Sequence, residues 1–330
     1  MSNSGKQFLV GAALLAVTFA SASAPFAARC DNVESCLPQL RFGETRAQRE
    51  LAAQTLGERG DPVAITALVT ALQEDDGEYV RVKAAQALGR LGTPQVVEPL
   101  SKALAGDPRE RVRETAASAL GMIGAPTGAP ALIAALEGDQ AWQVRAAAAW
   151  ALGQFGPHPD SALALSRRLL EDGRREVRIG AAVAIARLQA PEGIEAMTRA
   201  LGEDISAEVR NAAAVALVSL QGEGAEAALL AALRAEGDRG VRRTVAESLG
   251  MRKQESAAGG LIRALQMDSA IEVRQEAARA LGRIGGEAAR EALAYYAEHS
   301  VFRQIQRAAR DALALIPLEA EPQPTASTTN

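Results

Sequence analysis

The chain has 330 residues, 48% of them hydrophobic but only 3% aromatic, and its 36 Lys and Arg against 40 Asp and Glu give a formal charge of -4. That length can bury a sizeable core, and the charge balance leaves no basic footprint for nucleic acid. Two cysteines and two histidines are little raw material for a metal site, a thiol nucleophile or a histidine-based catalytic unit, so no cofactor and no metal is expected.

The first element is a leader. Lys6 precedes the apolar run Phe8 to Ala20 (FLVGAALLAVTFA), and the small residues of SASAPFAARC follow, which is the order of a secretory signal peptide. At about 13 residues the run falls short of the roughly 20 that span a bilayer. Residues 1–22 are therefore expected to be a cleaved signal, with Ala20 and Ala22 at the recognition positions and Pro25 disfavouring a later cut. Cleavage near Ala22 would release an exported chain, periplasmic or extracellular, without a membrane span; an uncleaved anchor is the alternative.

Residues 23–44 form an N-terminal segment holding both cysteines, in CDNVESC from Cys30 to Cys36. In an oxidising compartment the simplest outcome is one disulfide closing a short loop. Free or intermolecular thiols are the other reading, and zinc lacks further ligands nearby in sequence.

From residue 45 to 316 the chain repeats. VRVKAAQALGRLG from Val80 recurs as VRETAASALGMIG from Val112, VRAAAAWALGQFG from Val144 and VRQEAARALGRIG from Val273, with weaker copies from Val177, Val209 and Val241. The marker arginines Arg49, Arg81, Arg113, Arg145, Arg178, Arg210, Arg242 and Arg274 are 32 residues apart, except for one spacing of 33, and Gln306 stands at a ninth, degenerate position. Val80, Ala84, Ala87 and Leu88 share one helical stripe, and Gly89 with Gly92 read as the helix end. A second apolar helix follows, often opened by proline, as in PQVVEPLSKALA from Pro94. A lone helix pair cannot bury both faces, so the pairs are expected to stack on their neighbours through small alanines.

The VRxxAAxALGxxG signature at this period resembles HEAT repeats, above all the short variety found in the bilin lyases of cyanobacterial antenna assembly. The resemblance covers residues 45–316 and implies an all-α fold, a right-handed α-solenoid of about eight and a half antiparallel helix pairs. It is far less specific for function. Deoxyhypusine hydroxylase, a HEAT-type enzyme, carries paired His-Glu motifs for iron; this chain has no His-Glu dipeptide, and His158 and His299 lie about four repeats apart. The expectation is a non-enzymatic scaffold that binds protein partners on its curved surface, with a bilin-lyase-like or small-ligand-binding enzyme subunit as the alternative.

Three columns follow the repeat. Asp75, Asp107, Asp139, Asp172, Asp204, Glu236 and Asp268 each stand six residues before a marker arginine. They can cap the next helix and approach an arginine of an adjacent unit, a structural ladder rather than an ion-binding row. On the second helices, Lys102, Arg167, Arg199 and Arg263, ending in Tyr295, form a discontinuous basic row. If second helices line the concave face, as the resemblance implies, this row faces the groove and can meet an acidic segment; ordinary solvated cations are the other reading. On the first helices, Trp150, Ile179, Val183 and Val215 form an apolar strip in the middle of the array, read as a convex contact patch unless the superhelix buries it or Trp150 packs on Trp142. The tail 317–330 (PLEAEPQPTASTTN) has almost no apolar content and reads as a disordered end.

Overall fold

The structure is a computed structural model that describes residues 30–156, 158–222 and 224–317. The expected signal peptide and all but the first residue of the expected tail lie outside the described residues. The helices run in sequence as α1 (Val33–Phe42), α2 (Arg46–Arg59), α3 (Ile65–Glu74), α4 (Glu78–Leu91), α5 (Val97–Gly106) and α6 (Glu110–Ile123). They continue as α7 (Ala129–Gly138), α8 (Trp142–Leu152), α9 (Pro159–Glu171), α10 (Arg175–Leu188), α11 (Ile194–Glu203) and α12 (Ala207–Ser219). The array ends with α13 (Ala225–Ala235), α14 (Arg239–Arg252), α15 (Ala258–Met267), α16 (Ile271–Ile284), α17 (Glu287–His299) and α18 (Arg303–Leu313).

Even-numbered helices carry the signature and stack on one another in one layer; odd-numbered helices form the second layer. Each odd helix packs against the even helix that follows it, across a short turn such as Asp75–Gly77. The helix pair is therefore out of phase with the repeat as read from sequence, which started each unit at the signature. Nine pairs result among the described residues, the first of them α1 with α2.

The apolar stripe makes the core. Leu56, Leu88, Leu120, Leu152, Ile185, Leu217, Leu249 and Leu281, one per signature helix, are all buried. Burying each such side chain contributes roughly 2 kcal/mol, and together they belong to one core cluster that runs along the array.

The two glycines of the signature do different work. Gly92 ends α4 in the left-handed conformation (φ 66°), as Gly60 and Gly124 end α2 and α6. Gly89 does not end its helix as expected. It lies inside α4, and a Cβ there would sit 2.8 Å from Ala119 Cβ on α6. It is a notch that lets two helices approach closely, and Gly57, Gly121, Gly153, Gly250 and Gly282 do the same against Ala87, Ala151, Ala184, Ala280 and Ala312. After the cap, Pro62, Pro94, Pro126 and Pro191 open a one-turn 3-10 helix that leads into the odd helix, a position where the missing N–H costs no hydrogen bond.

At the N-terminus Cys30 and Cys36 form a disulfide, with Cα atoms 4.6 Å apart. It ties the entering chain to α1, whose Asn32 and Ser35 complete a capping box.

Candidate protein-interaction surface

The column of acids and arginines is structural. Arg145 donates from Nε and Nη2 to both carboxylate oxygens of Asp172 at 2.6 and 3.0 Å, and its Nη1 donates to the carbonyl of Asp139 at 2.8 Å. Asp172 Oδ1 in turn accepts from the N–H of Arg174 at 2.9 Å, fixing the entry to α10. The same bidentate bond joins Arg49 to Asp75, Arg81 to Asp107, Arg113 to Asp139, Arg178 to Asp204, Arg210 to Glu236 and Arg242 to Asp268. Each arginine thus bridges two consecutive turns. The acid serves the N–H two residues on, at the residue before its helix, rather than one inside the helix as a side-chain cap would.

Burial works against the charge on Asp139, Asp172 and Asp268, but the paired arginine and the backbone N–H outweigh it and hold these carboxyls below the ordinary range. The ladder stops at both ends: Gly43 stands in the acid's place six residues before Arg49 and offers only its carbonyl, and Ser300 leaves Arg274 to donate to the Leu265 carbonyl and lie over the Phe302 ring.

The glycine notches also set the curvature. Even helices contact one another far more extensively than odd helices do. A stack of pairs bends toward the side on which its helices lie closest, so the even layer lines the inner surface and the odd layer the outer. The expected assignment of the two faces is thereby reversed, because the sequence period was cut half a unit out of phase with the hairpin. The basic row belongs to the outer surface and the apolar strip to the inner.

Lys102, Arg167, Arg199 and Arg263 are exposed, on α5, α9, α11 and α15. Three of them already have carboxylate partners: Lys102 pairs with Glu98 at 2.8 Å, Arg199 with Glu203 at 3.8 Å, and Arg167 with Glu137 across the α7–α9 boundary. The row is a mixed-charge surface. Tyr295 at its end is exposed but stacked on His299, ring centroids 4.8 Å apart.

The strip is brought together. Trp150, Val183 and Val215 occupy the same register on the consecutive helices α8, α10 and α12, and they remain 40%, 39% and 58% exposed. Ile179 is half-buried at their base, packed on the core. Trp150 does not pack on Trp142, which lies at the other end of α8 beneath the Arg174 guanidinium. Its ring stands instead over the notch of Gly121 on α6, where a Cβ would meet Cζ3 at 2.9 Å. On α6 the strip's register is taken by Ser118, and the exposed Met122 one turn further on lies over the notch of Gly89 on α4. Beside Val215, the Asn211 Oδ1 atom is buried without a hydrogen-bond partner among the described residues. Among those residues no group of three His, Cys, Asp or Glu side chains is placed to hold a metal ion, and no helix is long and apolar enough to cross a membrane.

Comparison with known families settles the architecture. The profile of HEAT repeats matches residues 76–142, 129–218 and 226–314, and that of the PBS lyase HEAT-like repeat matches 48–74. The chain belongs to the HEAT-repeat family. No curated protein matches it in sequence. Among solved structures, importin beta shares this HEAT-repeat fold with a TM-score of 0.59 at 15% identity, over 86% of this chain and 44% of importin beta. The complex of CpcE and CpcF of phycocyanin lyase from Nostoc is 24% identical over 86% of this chain and 94% of the other, with a TM-score of 0.37. Human deoxyhypusine hydroxylase is 24% identical over 80% of this chain and 98% of the other, with a TM-score of 0.36. At these identities the likeness concerns fold alone.

Proposed function

We propose that this HEAT-repeat chain is an exported, non-enzymatic scaffold that holds a protein partner on its inner surface. One observation carries the reading: three apolar side chains in register on successive stacked helices stay exposed where the fold had every opportunity to place polar ones, as it does in the same column at Gln54, Gln86 and Glu247. The leader at residues 1–22 and the Cys30–Cys36 disulfide support export, since such a bond persists in an oxidising compartment.

The test is capture from the native envelope fraction with Trp150→Glu/Val183→Glu beside Arg167→Glu/Arg199→Glu. All four residues are exposed, so helical circular dichroism should be unchanged in both variants. The first variant is expected to lose a stoichiometric partner, while the second retains it. Full capture by the first variant removes the inner strip from the function; loss in the second alone moves binding to the outer row. Turnover of a substrate by the isolated chain would overturn the non-enzymatic reading.

A further inference from the structure

One signature helix buries an acid. Glu276 of α16 is 7% exposed, at a position that is acidic in no other signature helix and is Ala147, Gly180 and Ala212 in the middle of the array. A carboxylate taken out of water needs partners, and Glu276 has two: Arg279 Nη1 donates to its Oε2 and Arg283 Nη1 to its Oε1, each at 3.0 Å. Arg283 reaches it by running back along the seam between α14 and α16, where a Cβ at Gly250 would lie 3.2 Å from its Nη1.

These guanidiniums are engaged differently from those of the ladder. Arg242 directs Nε and Nη2 to Asp268 and Nη1 to two carbonyls. Arg279 and Arg283 each use Nη1 alone, and among the described residues their Nε and Nη2 groups have no acceptor. Their side chains are 51% and 32% exposed, so those N–H groups can be reached from the inner surface. One buried carboxylate thus orders two cations, and an incoming anion need not supply that ordering.

The surroundings do not cancel the charge. In the same inner register α14 holds Arg243 and Glu247, and α18 holds Arg307 and Asp311, paired at 3.8 Å. At the turn beyond α16, Lys253 and Arg290 accompany Glu255 and Glu287. Each of these sets is balanced, whereas the two arginines exceed Glu276 by one positive charge. A single carboxylate brings the cluster to neutrality, and its planar oxygens match the Nε and Nη2 edge of a guanidinium. A doubly charged phosphate would overshoot beside a buried acid. The face is open and would bury little of a free small anion, so the carboxylate belongs to a chain that makes further contacts.

We propose that Arg279 and Arg283, positioned by the buried Glu276, form a carboxylate-binding site on the inner surface for an acidic side chain in a segment of the protein partner. This deepens the scaffold reading and rests on it.

A labelled 12-residue peptide carrying three glutamates, its glutamine counterpart and its phosphoserine counterpart, titrated by fluorescence anisotropy into the full chain at low salt, test the site. The glutamate peptide is expected to bind best, with shifts of the Arg279 and Arg283 Nε–H resonances. In Arg279→Lys/Arg283→Lys the charge is kept and the fork is lost, so binding should weaken about fivefold. Glu276→Gln separates a built site from a basic patch by sign: it adds one positive charge, yet it should weaken binding about twofold because the arginines lose their anchor. Helical circular dichroism should be unchanged in the lysine variant, whose two positions are partly exposed.

Tighter binding by Glu276→Gln, equal binding by the lysine variant, or tighter binding of the phosphoserine peptide overturns the proposal. So does higher peptide affinity in Glu319→Gln/Glu321→Gln, which would make the chain's own end the occupant. Envelope capture at the full level by a chain that binds no glutamate peptide leaves the scaffold reading standing and removes this one, while loss of capture in Trp150→Glu/Val183→Glu bears on that reading alone.

Discussion

The array has two kinds of junction. From α2 to α10, and again from α14 to α18, each signature helix is notched by a glycine that lies against an alanine of the next. On either side of α12 the notch is gone: Ala186 faces the position of Ala216, and Val218 that of Ser248. The left-handed glycine cap is missing here too, as it also is at the ends of α8, where Gly153 is right-handed, and α14, where Lys253 takes the place of glycine. Gln189 takes the left-handed conformation in place of glycine, and α12 ends at Ser219 with no left-handed cap, its carbonyls at Leu217 and Leu220 receiving Arg252 Nη1 from α14 at 2.6 and 2.9 Å. The apolar strip overlaps this stretch. Close, uniform stacking therefore belongs to the flanks, and the middle gives up part of it where its surface departs most from the consensus.

What both regions share is the ladder, and breaking it should have the largest effect. In Asp172→Asn the bidentate acceptor of Arg145 becomes a neutral amide while the guanidinium stays largely buried. Removing one partner of such a pair costs about 3 kcal/mol, so the urea midpoint should fall sharply, and Asp204→Asn, in the region without notches, should fall by a similar amount. A much smaller loss at either site would mean that stacking, not the ladder, holds that junction. Acid probes the same bonds. Because the native carboxyls of Asp139, Asp172 and Asp268 are held low, their contribution is complete above the unfolded value near 4 and drains as pH falls through the native values. Stability measured from pH 5 to pH 2 should decline steeply, and Asp172→Asn should flatten part of that slope.

The ladder was legible because a constant offset of six residues survives in seven copies whatever the turns do. The phase of the hairpin was not: a strict period says how often a unit recurs but not where it begins, and only the packing of α3 on α4 rather than on α2 settles it. That half-unit error moved Lys102 and Arg199 to the wrong face and Trp150 with them. Gly89 was misread for a related reason. A glycine three residues before a helix cap looks like a terminator in one dimension, and its partner Ala119 is 30 residues away in sequence. The neutralisation of Arg167 by Glu137 was hidden in the same way, since the two sit on different helices.

The notches come next in size. In Gly121→Val the new Cβ would lie 2.8 Å from both Cα and Cβ of Ala151, and backbone cannot step aside as a flexible side chain can. Overpacking of this kind costs about 2 kcal/mol. Ala186→Gly, which installs a notch where none exists, should cost only about 1 kcal/mol, the helix-propensity difference between the residues. Chemical denaturation of the two variants checks the order. If Ala186→Gly proved stabilising, the α10–α12 junction would be strained rather than relaxed, and the contrast between flank and middle would have to be redrawn.

The smallest effect sharpens the comparison most finely. Gln189 sits at φ 50° and ψ 37°, close to the 66° and 15° that Gly92 adopts at the same step of its own unit, and its N–H donates to the Ala186 carbonyl. A side chain in that conformation costs about 1–2 kcal/mol, whereas glycine there costs roughly 0.5–1 kcal/mol in chain entropy. Gln189→Gly should therefore stabilise the chain by about 0.5 kcal/mol. The side chain is exposed, so no packing is lost on removing it. The urea midpoint measures the gain, and native-state hydrogen exchange places it: slower exchange confined to α10 and α11 is expected, because a better cap lowers the fraying of one junction without touching the glycine-notched flanks. Protection that instead rose along the whole array would show that the middle is the weakest link of a cooperative stack, and that its departures from the repeat limit the stability of the flanks as well.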